Sequence, residues 1–140
     1  MWYCRAEDVI HEFTPPLKRN MERDYGEAFK ENIAGHIEKA HDFVNASLAR
    51  AYSVPLKQAA SVVISAECKI AAYFSAIAYS EKDEVVRDKY ETALMILDNL
   101  VQADNPALVD EGLTPEEIAA AGVLYGTDAK IFTSDELERW

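Results

Sequence analysis

The sequence predicts an all-α protein, an antiparallel bundle of about four helices followed by an extended, partly irregular C-terminal arm. Three observations carry this. Apolar residues recur at steps of three and four over long stretches, and no segment sustains the period-two alternation of a half-buried strand. Between Gly35 and Asp104 only Pro55 interrupts the chain, so that stretch is mostly regular structure. After Ala103 the character changes: residues 104–140 hold three of the five glycines, two of the five prolines, and nine acidic against two basic side chains. The division is therefore a body over residues 1–103 and an acidic arm over residues 104–140.

A short first helix is predicted around Ala6–Phe13, where Val9, Ile10 and Phe13 are spaced to cover a neighbour. The second is the clearest. Phe29, Ile33, Ile37, Ala40, Val44, Leu48 and Ala51 lie on one face, with Glu31, Glu38, Lys39, Asp42 and Arg50 around the rest. It would run about 34 Å at 1.5 Å per residue, and Pro55 closes it because the ring pushes Val54 out of the α region. From Leu56 to Ser80 the chain is apolar almost all round and rich in alanine, which suits a central helix; Glu67 and Lys69 are its few charged interruptions. A fourth helix, Asp83–Val101, places Val86, Tyr90, Ala93, Leu94, Leu97 and Leu100 on one side. The expected core is Phe29, Ile33, Ile37, Val44, Val63, Ile64, Phe74, Leu94 and Leu97.

In the arm, Thr114-Pro115-Glu116-Glu117 reads as a capping box with proline at the first helical position, and Gly122 as its stop. Beyond it come Leu124, Tyr125, Ile131, Phe132, Leu137 and Trp140, with a second possible capping box at Thr133–Glu136. These apolar residues are too sparse for a core of their own. They either fold back on the body or dock on a partner.

Composition narrows the function. The 140 residues carry a formal charge of −11, against a surface that grips nucleic-acid phosphate. At 49% hydrophobic residues the chain can bury a core. The N-terminus lacks the basic-then-apolar layout of a signal peptide, and no run of 18 apolar residues suggests a membrane span. The expectation is a soluble protein away from membranes.

Candidate chemistry is thin. Glu38 and His41 form a Glu-x-x-His pair, a spacing used in di-iron carboxylate bundles, but a second pair is missing and the central helix offers only Glu67. A solvated helix face is the better reading. Cys4 and Cys68 are far apart in sequence without Cys-x-x-Cys spacing, so neither a zinc knuckle nor a disulfide scaffold is expected. Cys68 reads as an inert small hydrophobe. No phosphate loop, nucleophile elbow or His-Glu-x-x-His motif is present. The expectation is a protein without enzymatic activity, cofactor or metal. Arg50-Ala51-Tyr52-Ser53-Val54-Pro55-Leu56 joins two long helices; Tyr52 and Leu56 read as plugs for the bundle end, and a role for Arg50 and Tyr52 in contacts between subunits is the alternative.

Four stretches bear a resemblance: Tyr3-Cys4-Arg5-Ala6-Glu7-Asp8-Val9-Ile10, the Arg50–Leu56 connection, Cys68-Lys69-Ile70-Ala71-Ala72-Tyr73, and Tyr90–Leu97. Over residues 3–103 the chain resembles the head–tail connector (adaptor) family of Mu-like phages and prophages. The resemblance implies a helical, structural virion subunit at the head–tail neck, assembled in the host bacterial cytoplasm. It implies a ring, commonly dodecameric, between the portal protein and a tail terminator or other tail-proximal connector. DNA passes through the centre without sequence-specific binding. After Leu100 this chain departs from the family pattern, with Asn105-Pro106 and the acidic arm. On this reading Leu124, Tyr125, Ile131, Phe132, Leu137 and Trp140, with Arg50 and Tyr52, contact the portal or neighbouring subunits. The competing readings are a small helical-bundle module that binds another protein, as regulator or chaperone, and a carboxylate–histidine metal protein around Glu38 and His41.

Overall fold

The computed structural model describes residues 2–79 and 82–120. In it five α-helices follow one another: α1 (Ala6–Ile10), α2 (Pro15–Tyr25), α3 (Phe29–Leu48), α4 (Ser61–Ala78) and α5 (Glu84–Ala103). Short 3-10 turns occupy Gly26–Ala28 and Pro106–Leu108, and residues 115–120 are helical. No strand is present among the described residues, only an isolated bridge between Ala59 and Asp110. The protein is all-α.

Helix α2 is absent from the sequence reading. Its local cause is simple: Thr14 sits extended at the N-cap, Pro15 and Pro16 occupy the opening turn, and Gly26, at φ 58, ends it in a conformation that favours glycine. Leu17 and Met21, one turn apart, are fully buried. Helix α3 buries Phe29, Ile33, Ile37, Ala40, Val44 and Leu48, the face that the periodicity marks. It stops at Leu48, several residues ahead of Pro55, and the chain then runs irregularly through residues 49–60. Helix α4 accordingly begins at Ser61 rather than Leu56. By length and composition α4 could cross a membrane, with a mean hydropathy of 1.4 over 18 residues; here half of that stretch is buried as the central helix. Helix α5 opens on Asp83, whose carboxylate accepts from Val85 N at 3.0 Å and Val86 N at 3.2 Å.

Contacts at the helix ends give the directions. Tyr79, just past α4, meets Tyr25 just ahead of the α3 start, with ring centroids 5.6 Å apart. Tyr52, just past α3, reaches the carbonyl of Leu100 near the end of α5. Helices α3, α4 and α5 therefore run up, down and up. At the lower end Thr14 Oγ1 donates to Asp83 Oδ2 at 2.6 Å. Glu12 holds two ammonium groups, Lys89 at 3.2 Å and Lys69 at 3.7 Å, and so fastens the end of α1 to α4 and α5.

Three residues expected in the core are only half-buried: Ile64, Phe74 and Leu94. Helix α4 turns its small residues Ala66, Ala71, Ala72 and Ala76 inward. That rotation leaves Phe74 on the flank between Phe43 and Tyr90, at centroid distances of 6.3 and 6.2 Å. On α5 the buried position is Leu97, at 2% exposure, one turn beyond Leu94. Leu97→Ala should cost ~2–5 kcal/mol through lost transfer energy and the cavity left behind, and Leu94→Ala clearly less. Urea melts of the two variants measure the order; a larger loss for Leu94→Ala would mean α5 is rotated.

Candidate functional site at the upper end of the bundle

The 49–60 connection is where the N-terminal segment, the helices and the start of the arm meet, and two carboxylates organise it. The first is Glu67, fully buried at the middle of α4. Its Oε2 accepts from the backbone N–H of Tyr3 and of Cys4, each at 2.9 Å, and its Oε1 lies 2.9 Å from His41 Nδ1. The hydrogens in this network follow from one fixed donor. Leu56 N–H donates to the Tyr3 hydroxyl oxygen at 2.7 Å, so the hydroxyl proton is directed to Asn45 Oδ1 at 2.6 Å. The Asn45 amide then donates to His41 Nε2 at 3.1 Å, which leaves Nδ1–H to donate to Glu67. Burial raises the Tyr3 hydroxyl above its usual range, which keeps it a donor at neutral pH. The Tyr3 ring also packs edge-on against His41, with centroids 4.5 Å apart.

The second carboxylate is Asp110, 5% exposed. Oδ2 accepts from Lys57 N at 2.8 Å, and Oδ1 from Gln58 N and Gly112 N at 2.9 Å each. Ala60 N donates to Val109 O at 2.8 Å and Glu111 N to Gln58 O at 2.7 Å. The approach is close enough to need glycine, since a Cβ at Gly112 would stand 2.9 Å from Lys57 Cβ. Residues 105–112, assigned to the arm in the sequence reading, are thus seated on the body, with Val109 at 1% exposure. The Thr114 capping box forms as expected: Glu117 N donates to Thr114 Oγ1 at 3.1 Å and Thr114 N to Glu117 Oε1 at 3.0 Å. The Lys57 ammonium, 2.6 Å from Glu117 Oε2, and Thr114 hold the Glu117 carboxyl down to about 2.

Tyr52 is buried within its own subunit. Its hydroxyl donates to Leu100 O and accepts from Asn105 N at 3.1 Å, so it caps α5 and fixes the turn into the arm. That burial agrees with the plug reading. Arg50 is exposed and reaches Ser47 O at 3.1 Å and Asp98 at 3.8 Å. Leu124, Tyr125, Ile131, Phe132, Leu137 and Trp140 lie outside the described residues.

His41 is not on a solvated face, as the sequence suggested; it turns inward to Glu67 while Glu38 stays exposed, so the Glu-x-x-His pair does not converge. Among the described residues no three His, Cys, Asp or Glu side chains are arranged to hold a metal ion. A carboxylate–imidazole pair can serve as a general base when its second nitrogen faces a substrate; here Asn45 occupies that nitrogen, and the pair works as a clamp. Sequence reasoning missed Glu67 and Asp110. The available signal was a lone carboxylate in an apolar helix, which burial tolerates only with partners.

Two clefts open on this end. One, about 580 Å³, is lined by Trp2, Tyr3, His41, Asn45, Leu56 and Ile64 among others. The other, about 370 Å³, lies between the connection and the arm and reaches Leu113, Glu117 and Ala120. The Arg50–Leu56 stretch that carries the resemblance is the hub of this end. No curated protein matches the chain in sequence. Residues 3–121, most of its length, match the family described as "Bacteriophage Mu, Gp36". With its all-α bundle and its hub at residues 49–60, this phage-related chain belongs to the Bacteriophage Mu, Gp36 family.

Proposed function

We propose that the chain is a head–tail connector (adaptor) subunit: a structural virion protein, built in the host cytoplasm, that forms a ring between portal and tail. The observation that carries this is membership of a phage family over residues 3–121. The geometry is compatible with it. The upper end is cross-braced by backbone bonds to Glu67 and Asp110, and Ala120 lines the arm-side cleft there. A braced end suits a part whose work is holding neighbours. Leu124, Tyr125, Ile131, Phe132, Leu137 and Trp140 are the proposed anchors on the portal or an adjacent copy, since large apolar side chains contribute most where a pocket receives them. Exposed Arg50 is a further contact. The net charge of −11 suits a channel along which DNA slides, because like charge discourages sticking. In this reading the subunit has no turnover and no cofactor, and a tail-terminator or similar protein lies on the tail side.

The test is size and imaging of the protein mixed with its portal. The expected result is a symmetric ring, of twelve copies in the dodecameric form, seated on the portal. A chain that ignores the portal and instead co-purifies with one cellular protein would favour the regulator or chaperone reading.

A further inference from the structure

The fold brings Cys4 and Cys68 together although 63 residues separate Cys4 from Glu67, the neighbour of Cys68. Cys4 N–H donates to Glu67 Oε2 at 2.9 Å, which sets Cys4 level with that turn of α4. The Cys4 thiol faces the Cys68 thiol closely enough to interact with it, and both lie buried in one core, at 2% and 3% exposure. Neither is bonded covalently. The segment that carries Cys4 is irregular between Trp2 and Arg5, and its backbone is tied down by the Glu67 carboxylate.

We propose that Cys4 and Cys68 are a modification site: a dithiol that a peroxide, or a small-molecule disulfide, oxidises to a disulfide stapling the N-terminal segment to α4. With hydrogen peroxide the balance is two thiols and one peroxide giving one S–S bond and two waters. The two sulfurs lose two electrons, the O–O bond accepts them, and both thiol protons leave in the water. With a small-molecule disulfide such as oxidised glutathione, one thiolate attacks, the mixed disulfide is resolved by the second cysteine, and two small thiols depart.

The neighbourhood sets the rate. The neighbouring Cys68 thiol, burial and the nearby Glu67 carboxylate all push the Cys4 thiol far above its usual range, so in the closed segment Cys4 keeps its proton and reacts slowly. Reaction requires the Tyr3–Cys4 segment to lift from Glu67 and admit the oxidant. Reclosure then presents the two sulfurs to each other, and a disulfide needs Cα atoms only about 4.4–6.8 Å apart, a spacing that a short irregular segment can adjust to. Cytosolic thiol buffers keep such a pair reduced, whereas an oxidising medium does not. The timing rests on the connector reading: a subunit assembled reduced in a host cell would lock its N-terminal segment once the particle is released. The chemistry of the pair does not depend on that reading.

The experiment uses the purified full chain, treated with hydrogen peroxide or oxidised glutathione. The expected result is an intact mass lower by two hydrogens, a cross-linked peptide containing Cys4 and Cys68, and a higher melting temperature, all reversed by a dithiol reductant. Cys68→Ala and Cys4→Ser should each abolish the mass loss; the peptide map of the unmutated chain stands even if a variant folds poorly. Thiols that stay reduced after prolonged treatment, cross-links between chains, or separate sulfinic acids at each cysteine would overturn the proposal. The same oxidation applied to portal-bound rings separates the two ideas, because rings can form without the cross-link and the cross-link can form without rings.

Discussion

Glu67→Ala should lower the unfolding free energy by ~3–5 kcal/mol, the largest single-residue loss expected in this chain. The carboxylate is fully buried and is the common acceptor for Tyr3 N–H, Cys4 N–H and His41 Nδ1–H. Deleting it leaves three buried donors, each worth about 1–3 kcal/mol when unsatisfied, although water entering the space offsets part of the sum. A domain of ordinary stability has only about 5–15 kcal/mol in total. Glu67→Gln keeps an acceptor for the two backbone donors but sets an amide N–H against His41 Nδ1–H, so the imidazole and Asn45 must both turn over. Its cost should be about 1–3 kcal/mol. Urea denaturation followed by circular dichroism measures both variants. A loss below about 1 kcal/mol for Glu67→Ala would show that the N-terminal segment does not depend on this clamp.

Truncation separates the two parts of the arm. A chain ended after Ala103 lacks Val109 and Asp110, and strands Lys57 N, Gln58 N and Ala60 N at the upper end. It should lose ~3–5 kcal/mol, on the scale of a broken buried polar cluster together with lost apolar burial. A chain ended after Ala120 keeps all of those bonds. It should melt like the full-length protein and yet fail to join portal-bearing heads, if residues 121–140 anchor the subunit as proposed. Thermal melts and a head-joining assay on the same two proteins give the answer. Loss of the cooperative transition on ending at Ala120 would place the last residues in the subunit's own core and remove them from the interface.

The long helices were legible in the sequence because their cause is local. The Phe29–Leu48 face follows from spacing alone, and the Thr114 capping box and the Asp83 start of α5 follow from residues three or four apart. The same local signals, Thr14-Pro15 and the Leu17–Met21 pair, announce α2, but so short an apolar pattern is weak without a partner to bury it. What lay outside the sequence was every interaction whose partners are distant along the chain. Glu67 meets Tyr3, Cys4 and His41, Asp110 meets Lys57 and Gln58, and Tyr52 meets Leu100 and Asn105. A periodic face states that a side is buried, not what it is buried against, and the rotation of α5 decided that, of the two leucines expected inside, Leu97 is buried and Leu94 only half-buried. The sequence by itself determined the helical class and the apolar faces, because propensity and period act within a few residues. Only the tertiary structure decided which charges lie inside, that the two cysteines meet, and that the arm begins as part of the body, because burying a carboxylate or a thiol pair depends on donors that the folded chain brings from far along its length.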